Sequence, residues 1–273
     1  MFKFSSSPVR VFGTRVVVNA LFTNSGSKAV CTVDKSLFCI GFWDKVQLSG
    51  RICLPRRSGK TYNLIQLLLF FSCAPEKSQL DVPDSAVEEF GHSAEQIRLM
   101  GVAEKCRLKR ELLFKDSLLK EKHPAFVEEH FMKYPVIHIS FSLCKAPSPG
   151  EFLVSLCAAI ATAAEHWLEE YAMIEGVDVD SNDNKLEKLR RLLSVYDNSY
   201  FDVKEFASRH AGLPIQLFDC LSEFVRSHFG KYILLLDEYD VPFIRTHSES
   251  WKDEDGRLEM QDLLKRLIQT MFK

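Results

Sequence analysis

Short apolar runs alternate along this chain with longer stretches of helical periodicity, the order expected of an α/β domain. Residues 51–54 (Arg-Ile-Cys-Leu) form a short strand candidate, and Pro55, Arg56, Arg57, Ser58 and Gly59 follow as a turn. From Lys60 the pattern becomes helical, and Leu64, Ile65, Leu67, Leu68, Leu69, Phe70 and Phe71 leave no polar face. A helix apolar on every side is a buried helix, expected here to pack directly on a sheet. Residues 75–91, with Pro75, Pro83 and several acids, read as a loop. Residues 93–131 are helical and charge-laced. In residues 134–141 the alternation puts Ile137, Ile139 and Phe141 on one face of a strand and Val136, His138 and Ser140 on the other. His138 reads most simply as a half-buried, hydrogen-bonded histidine. A long apolar helix spans residues 152–171, with Trp167 as a core contact. Further helices cover 186–196 and 213–229, and Gly230 closes the second before an all-apolar strand, residues 232–236.

The acidic turn at 177–184 invites a calcium reading, which its sequence rejects. Counted from Asp178, Asp183 stands where the calcium loop needs glycine and Leu189 where it needs glutamate. Between Gly101 and His123 there are seven Lys/Arg and four Asp/Glu. A solvated helix face accounts for that excess more simply than a nucleic-acid or phosphate patch.

Composition narrows the classes without choosing among them. The 273 residues are 46% hydrophobic and carry a formal charge of −2, which suits one large domain and argues against a generic polyanion binder. The eight cysteines include no C-x-x-C pair, so neither a zinc ribbon nor a thioredoxin-type motif is expected. They suggest a reducing compartment, cytoplasmic or nuclear. The apolar run at residues 67–71, with Leu64 and Ile65 just before it, is far short of the roughly 20 residues that cross a bilayer, so no membrane span is expected. No acid precedes Asp34 and serines cluster at 5–7, a composition loosely like a transit peptide. Pro8 and the β-branched Val16, Val17 and Val18 favour a strand or frayed arm instead.

Two segments carry chemistry. Leu54-Pro55-Arg56-Arg57-Ser58-Gly59-Lys60-Thr61 fits the second half of the phosphate-binding loop, G-x-x-x-x-G-K-[ST], with Leu54 where the first glycine would stand. Gly59 lets the backbone approach phosphate oxygens, and the following helix adds its positive end. Lys60 would reach the β- and γ-phosphates of ATP, and the Thr61 hydroxyl would bind Mg²⁺. The second segment, Ile233-Leu234-Leu235-Leu236-Asp237-Glu238, has the Walker B form. There Asp237 would hold Mg²⁺, directly or through water, while Glu238 orients and deprotonates the attacking water. A strand merely ending in solvated acids is the plainer alternative.

These residues resemble the predicted AAA-ATPase-like domain family of P-loop NTPases, whose members often continue into a PD-(D/E)XK nuclease-like region. The family's loop reads R-P-R-R-F-G-K-S without a leading glycine. Val33-Asp34-Lys35-Ser36 is similar to its V-D-K-[ST] segment, Tyr134-Pro135-Val136-Ile137 to its Y-P-V-I strand, and Asp237-Glu238-Tyr239-Asp240-Val241-Pro242 to its D-E-Y-D-x-P. The resemblance implies that one of Arg56 and Arg57 clamps phosphate. Arg245 could act as a finger-type charge, although a surface arginine is simpler.

The expected fold is therefore an α/β P-loop three-layer sandwich with a mostly parallel central sheet and helical insertions. Residues 1–25 form an arm or extra strand, 26–245 the P-loop domain, and 246–273 a helix that begins a shortened remainder. The family's sensor strand would normally lie between the two Walker strands. Its absence predicts that those strands pair directly or that residues 16–22 fill in. The function expected is Mg·ATP binding as a conformational switch, with hydrolysis left open and a protein partner reading the switch. Alternatives are a non-catalytic interaction module retaining the fold, or a nucleic-acid-processing component with a basic groove of Arg107, Lys109, Arg110 and Lys115.

Overall fold

The computed structural model describes residues 34–45, 60–73, 93–146, 148–171, 184–197, 203–247, 251 and 253–272. The expected strand at 51–54, the turn at 55–59, the loop at 75–91, the arm at 1–25 and most of the acidic turn lie outside them. The chain divides into two compact units, Met1–Lys133 and Tyr134–Lys273. Among the described residues it is mostly helical, with one two-stranded parallel sheet.

The first unit holds α1 (Phe38–Lys45), α2 (Lys60–Phe71), α3 (Ala94–Leu99), α4 (Val102–Phe114), α5 (Leu118–Lys122) and α6 (Pro124–His130). As its all-round apolar sequence requires, α2 buries Leu64 and the whole run from Leu67 to Phe71. Within this unit its described neighbours are helices. The Phe70 ring meets Phe71, Phe114, Phe126 and Phe131 at centroid distances of 4.9–5.7 Å, and Trp43 of α1 stacks on Phe71 at 5.4 Å. Such ring pairs add about 0.5–1.5 kcal/mol each beyond the area they bury.

Polar side chains fix the helix starts. Ser93 and Gln96 form a reciprocal capping box at α3. At α5 the cap is shared across the chain. Ser117 accepts from the Lys120 N–H, one Asp34 carboxylate oxygen accepts from the Leu118 N–H at 2.7 Å, and the Ser36 hydroxyl accepts from the Leu119 N–H at 3.0 Å. Asp34 also accepts from the Ser36 N–H at 2.7 Å, which pins the bend preceding α1.

The second unit contains β1 (Val136–Ser140), α7 (Pro149–Tyr171), α8 (Asn184–Asp197), α9 (Val203–His210), α10 (Leu213–Phe229), β2 (Ile233–Asp237), α11 (Val241–Thr246) and α12 (Glu254–Met271). The strands pair in parallel, from Val136 opposite Ile233 to Ser140 opposite Asp237. Ile137 and Ile139 are fully buried, as the alternation of β1 predicts, and the core continues through α7, α8, α10 and α12. Trp167 donates its indole N–H to the Val136 carbonyl at 2.9 Å, tying α7 to the start of β1. Gly230 ends α10 at φ +78°, a conformation that suits glycine.

Looking only for unbroken apolar runs misses one property of α7. Its stretch Pro149–Glu169 is long and apolar enough to cross a membrane by length and composition. Here the same helix supplies the middle of the second unit's core, with Phe152, Leu153, Leu156, Cys157, Ile160 and Ala164 fully buried.

Candidate functional site

The carboxyl end of β2 is where chemistry gathers. Leu235 is buried, but Asp237 is only half-buried, and Glu238 is exposed. The Phe141 N–H donates to the Asp237 carbonyl at 3.0 Å, so the ladder continues one step beyond β1 and holds the backbone of the first acid. Glu238 takes φ +51°, a left-handed conformation uncommon outside glycine. The Val241 N–H then bonds the Glu238 carbonyl at 3.0 Å, closing a turn into α11, whose first turn contains Pro242. The chain thus reverses just after the acids and leaves them at the strand's end. Ligands of parallel sheets bind at that edge.

Opposite Asp237, on β1, stands Ser140. Its hydroxyl donates to the Ser142 hydroxyl at 3.1 Å. Two pairs further down the strand, His138 lies opposite Leu235, half-buried. Its Nε2 is buried and has no hydrogen-bond partner among the described residues, unlike the hydrogen-bonded histidine expected from sequence. Burial pushes its pKa below the usual histidine range, and the nearby His166 acts in the same direction. Asp237 pulls upward, but by less.

Lys60 and Thr61 are the first two residues of α2, in the first unit, and both are exposed. The first turn of α2 contains no acid, which leaves its positive end uncompensated by its own sequence. Behind them, Tyr62 accepts a hydrogen bond from Gln66, and burial with the Asp34 carboxylate raises its phenol to about 12. Pro55, Arg56, Arg57, Ser58 and Gly59 lie outside the described residues. Asp237 and Glu238 belong to the second unit.

Among the described residues no group of three or more His, Cys, Asp or Glu side chains could hold a metal ion. Mg²⁺ does not need such a cage, because it takes one or two protein oxygens and completes its shell with phosphate and water. A threonine hydroxyl and an aspartate carboxylate are oxygen donors of that kind.

One expectation needs correction. Arg110 cannot line a basic groove, because it is fully buried and donates to the Ser72 carbonyl at 2.7 Å. Its neighbour Arg107 is exposed and paired with Glu111 at 3.3 Å, as on an ordinary solvated helix face. Arg245 is partly exposed in α11. Sequence reasoning also passed over Ser140 and Ser142. A serine ending a strand is commonplace until the register sets it against an acid.

The sequence profile of a family described as "Predicted AAA-ATPase" matches residues 89–272. The match takes in both strands with Asp237 and Glu238, and begins after Lys60 and Thr61. No curated protein and no solved structure matches the chain.

Proposed function

The chain belongs to the predicted AAA-ATPase family, and on that premise we propose that it binds Mg·ATP on a P-loop framework and uses the nucleotide as a conformational switch. The framework is a three-layer α/β sandwich whose parallel sheet includes β1 and β2. The observation that carries this reading is the end of β2. An apolar strand in a parallel pair delivers two consecutive carboxylates to its carboxyl edge, the second turned out by a left-handed backbone.

Bound Mg·ATP supplies the phosphoanhydride and the divalent charge. Each residue then has a task matched to its chemistry. Gly59 lets the loop from Pro55 to Ser58 approach phosphate, and one of Arg56 and Arg57 adds charge there. The Lys60 ammonium neutralises β- and γ-phosphate oxygens. The Thr61 hydroxyl would offer an oxygen to Mg²⁺, and so would the Asp237 carboxylate. The Glu238 carboxylate accepts a proton from water, which is the step that would turn binding into hydrolysis. A protein partner in a reducing compartment reads the resulting change.

Calorimetric titration of Mg·ATP into the folded chain tests this. Micromolar binding that disappears in Lys60→Ala and weakens at least tenfold in Asp237→Asn is the expected result. In Glu238→Gln, binding should persist while any hydrolysis stops. No heat with the folded wild-type chain would overturn the proposal.

A further inference from the structure

The Walker-type acid of β2 has a polar neighbour on the strand beside it. Ser140 pairs in register with Asp237. Residues paired this way in a parallel ladder share one face of the sheet, and adjacent strands run about 4.8 Å apart. Both residues are only half-buried, whereas Leu235, two positions back from Asp237 on the same face, is buried. Two side chains so placed are separated by about the span of one bridging water.

Ser140 is itself held in place. Its hydroxyl proton goes to Ser142, and the Ser142 N–H returns toward the same oxygen at 3.5 Å. With that proton committed, the Ser140 oxygen keeps acceptor capacity for a further donor. Beneath it on the same face, the buried Nε2 of His138 lacks a described partner. A buried polar atom in that state is a place where ordered water completes the hydrogen bonding. Acid, hydroxyl and imidazole therefore form one polar strip across two strands.

We infer that Ser140 is a positioning residue for Asp237: water bound between the two strand ends links its hydroxyl to the carboxylate and fixes the rotamer that accepts a divalent cation. Ser142 orients Ser140, and His138 closes the inner end of the strip. The inference rests on the nucleotide-binding proposal above and adds to it a group from the strand that flanks β2.

The test is binding of a fluorescent ATP analogue to the full chain at rising Mg²⁺. Ser140→Val removes the hydroxyl, and Ser140→Thr keeps it at nearly the same volume. In Ser140→Val the half-saturating Mg²⁺ should rise about tenfold, roughly the effect of one lost charge-assisted hydrogen bond. Analogue affinity in EDTA and the thermal midpoint should not change, and Ser140→Thr should match wild type. Equal shifts in both variants, or wild-type Mg²⁺ dependence in Ser140→Val, would overturn the inference while leaving nucleotide binding intact. Should Ser140→Val not fold, Ser142→Ala is decisive: a rise of about two- to threefold supports the inference, and no change removes it. A folded wild-type chain that binds no analogue at any Mg²⁺ brings down the nucleotide proposal, and this inference with it.

Discussion

Asp34 shows how one side chain can organise distant parts of the chain. Its two carboxylate oxygens accept from the Ser36 and Leu118 N–H groups, the second of these 84 residues away. Charge-assisted bonds to a helix start are among the stronger local contacts, and removing a cap typically costs about 0.5–2 kcal/mol. Asp34→Ala should therefore lower the unfolding free energy by about 1–2 kcal/mol in a urea melt, and Asp34→Asn should fall between. An Asp34→Ala chain as stable as wild type would mean that this segment contributes no cap. Arg110 teaches the complementary lesson. A basic residue within a charged helical stretch reads as solvated, yet its guanidinium lies in the interior, on the carbonyl of Ser72. Charge pattern along a helix gives the face, but not which single cation the core requires.

Among the elements, those with a strong local period were legible. Alternation fixed β1, continuous apolarity fixed β2, and the long helical stretches gave α7 and α10. The helices α9 and α11 escaped because each is short, 8 and 6 residues, and ends before a hydrophobic stripe can repeat. The site was legible in part for the same reason. Asp237 and Glu238 follow a strand and stand out at once, whereas Ser140 gains its meaning only from the register with β2. Packing between elements is where sequence says least. Gly150, near the start of α7, is an example. A methyl there would lie 2.7 Å from Val203 Cγ1 and 3.0 Å from the Val203 carbonyl oxygen, at the start of α9. In an open helix Gly→Ala gains about 1 kcal/mol, but here the backbone oxygen cannot swing aside. Gly150→Ala should destabilise by about 1–3 kcal/mol. Val203→Ala in the same chain should recover part of the loss, as a double-mutant cycle would show.

For the molecule as a whole, alkaline pH is the revealing stress. Cys144 and Cys157 are fully buried, and burial raises their thiols to about 11 and about 12, Cys144 adding to the rise at Cys157. The folded chain thus keeps protons that the unfolded chain releases near 9.0. Stability is fully present below that value and falls as pH rises toward 11–12, because the native state binds more protons throughout that window. Denaturant melts should show the unfolding free energy declining from about pH 9 upward. At pH 8 both thiols should resist alkylation until the chain unfolds, and prompt labelling would contradict their burial. The tryptophans offer a different use of the same core. Trp43 lies in the first unit against Phe71, while Trp251 and Trp167 are buried in the second. Of the three, Trp167 is bonded to the carbonyl at the head of β1, four residues and about 13 Å along the strand from Ser140. Replacing Trp43 and Trp251 by phenylalanine would leave one native emitter wired to the strand whose other end faces Asp237. Its colour and lifetime would then report, without any attached dye, whether that sheet edge responds to a ligand.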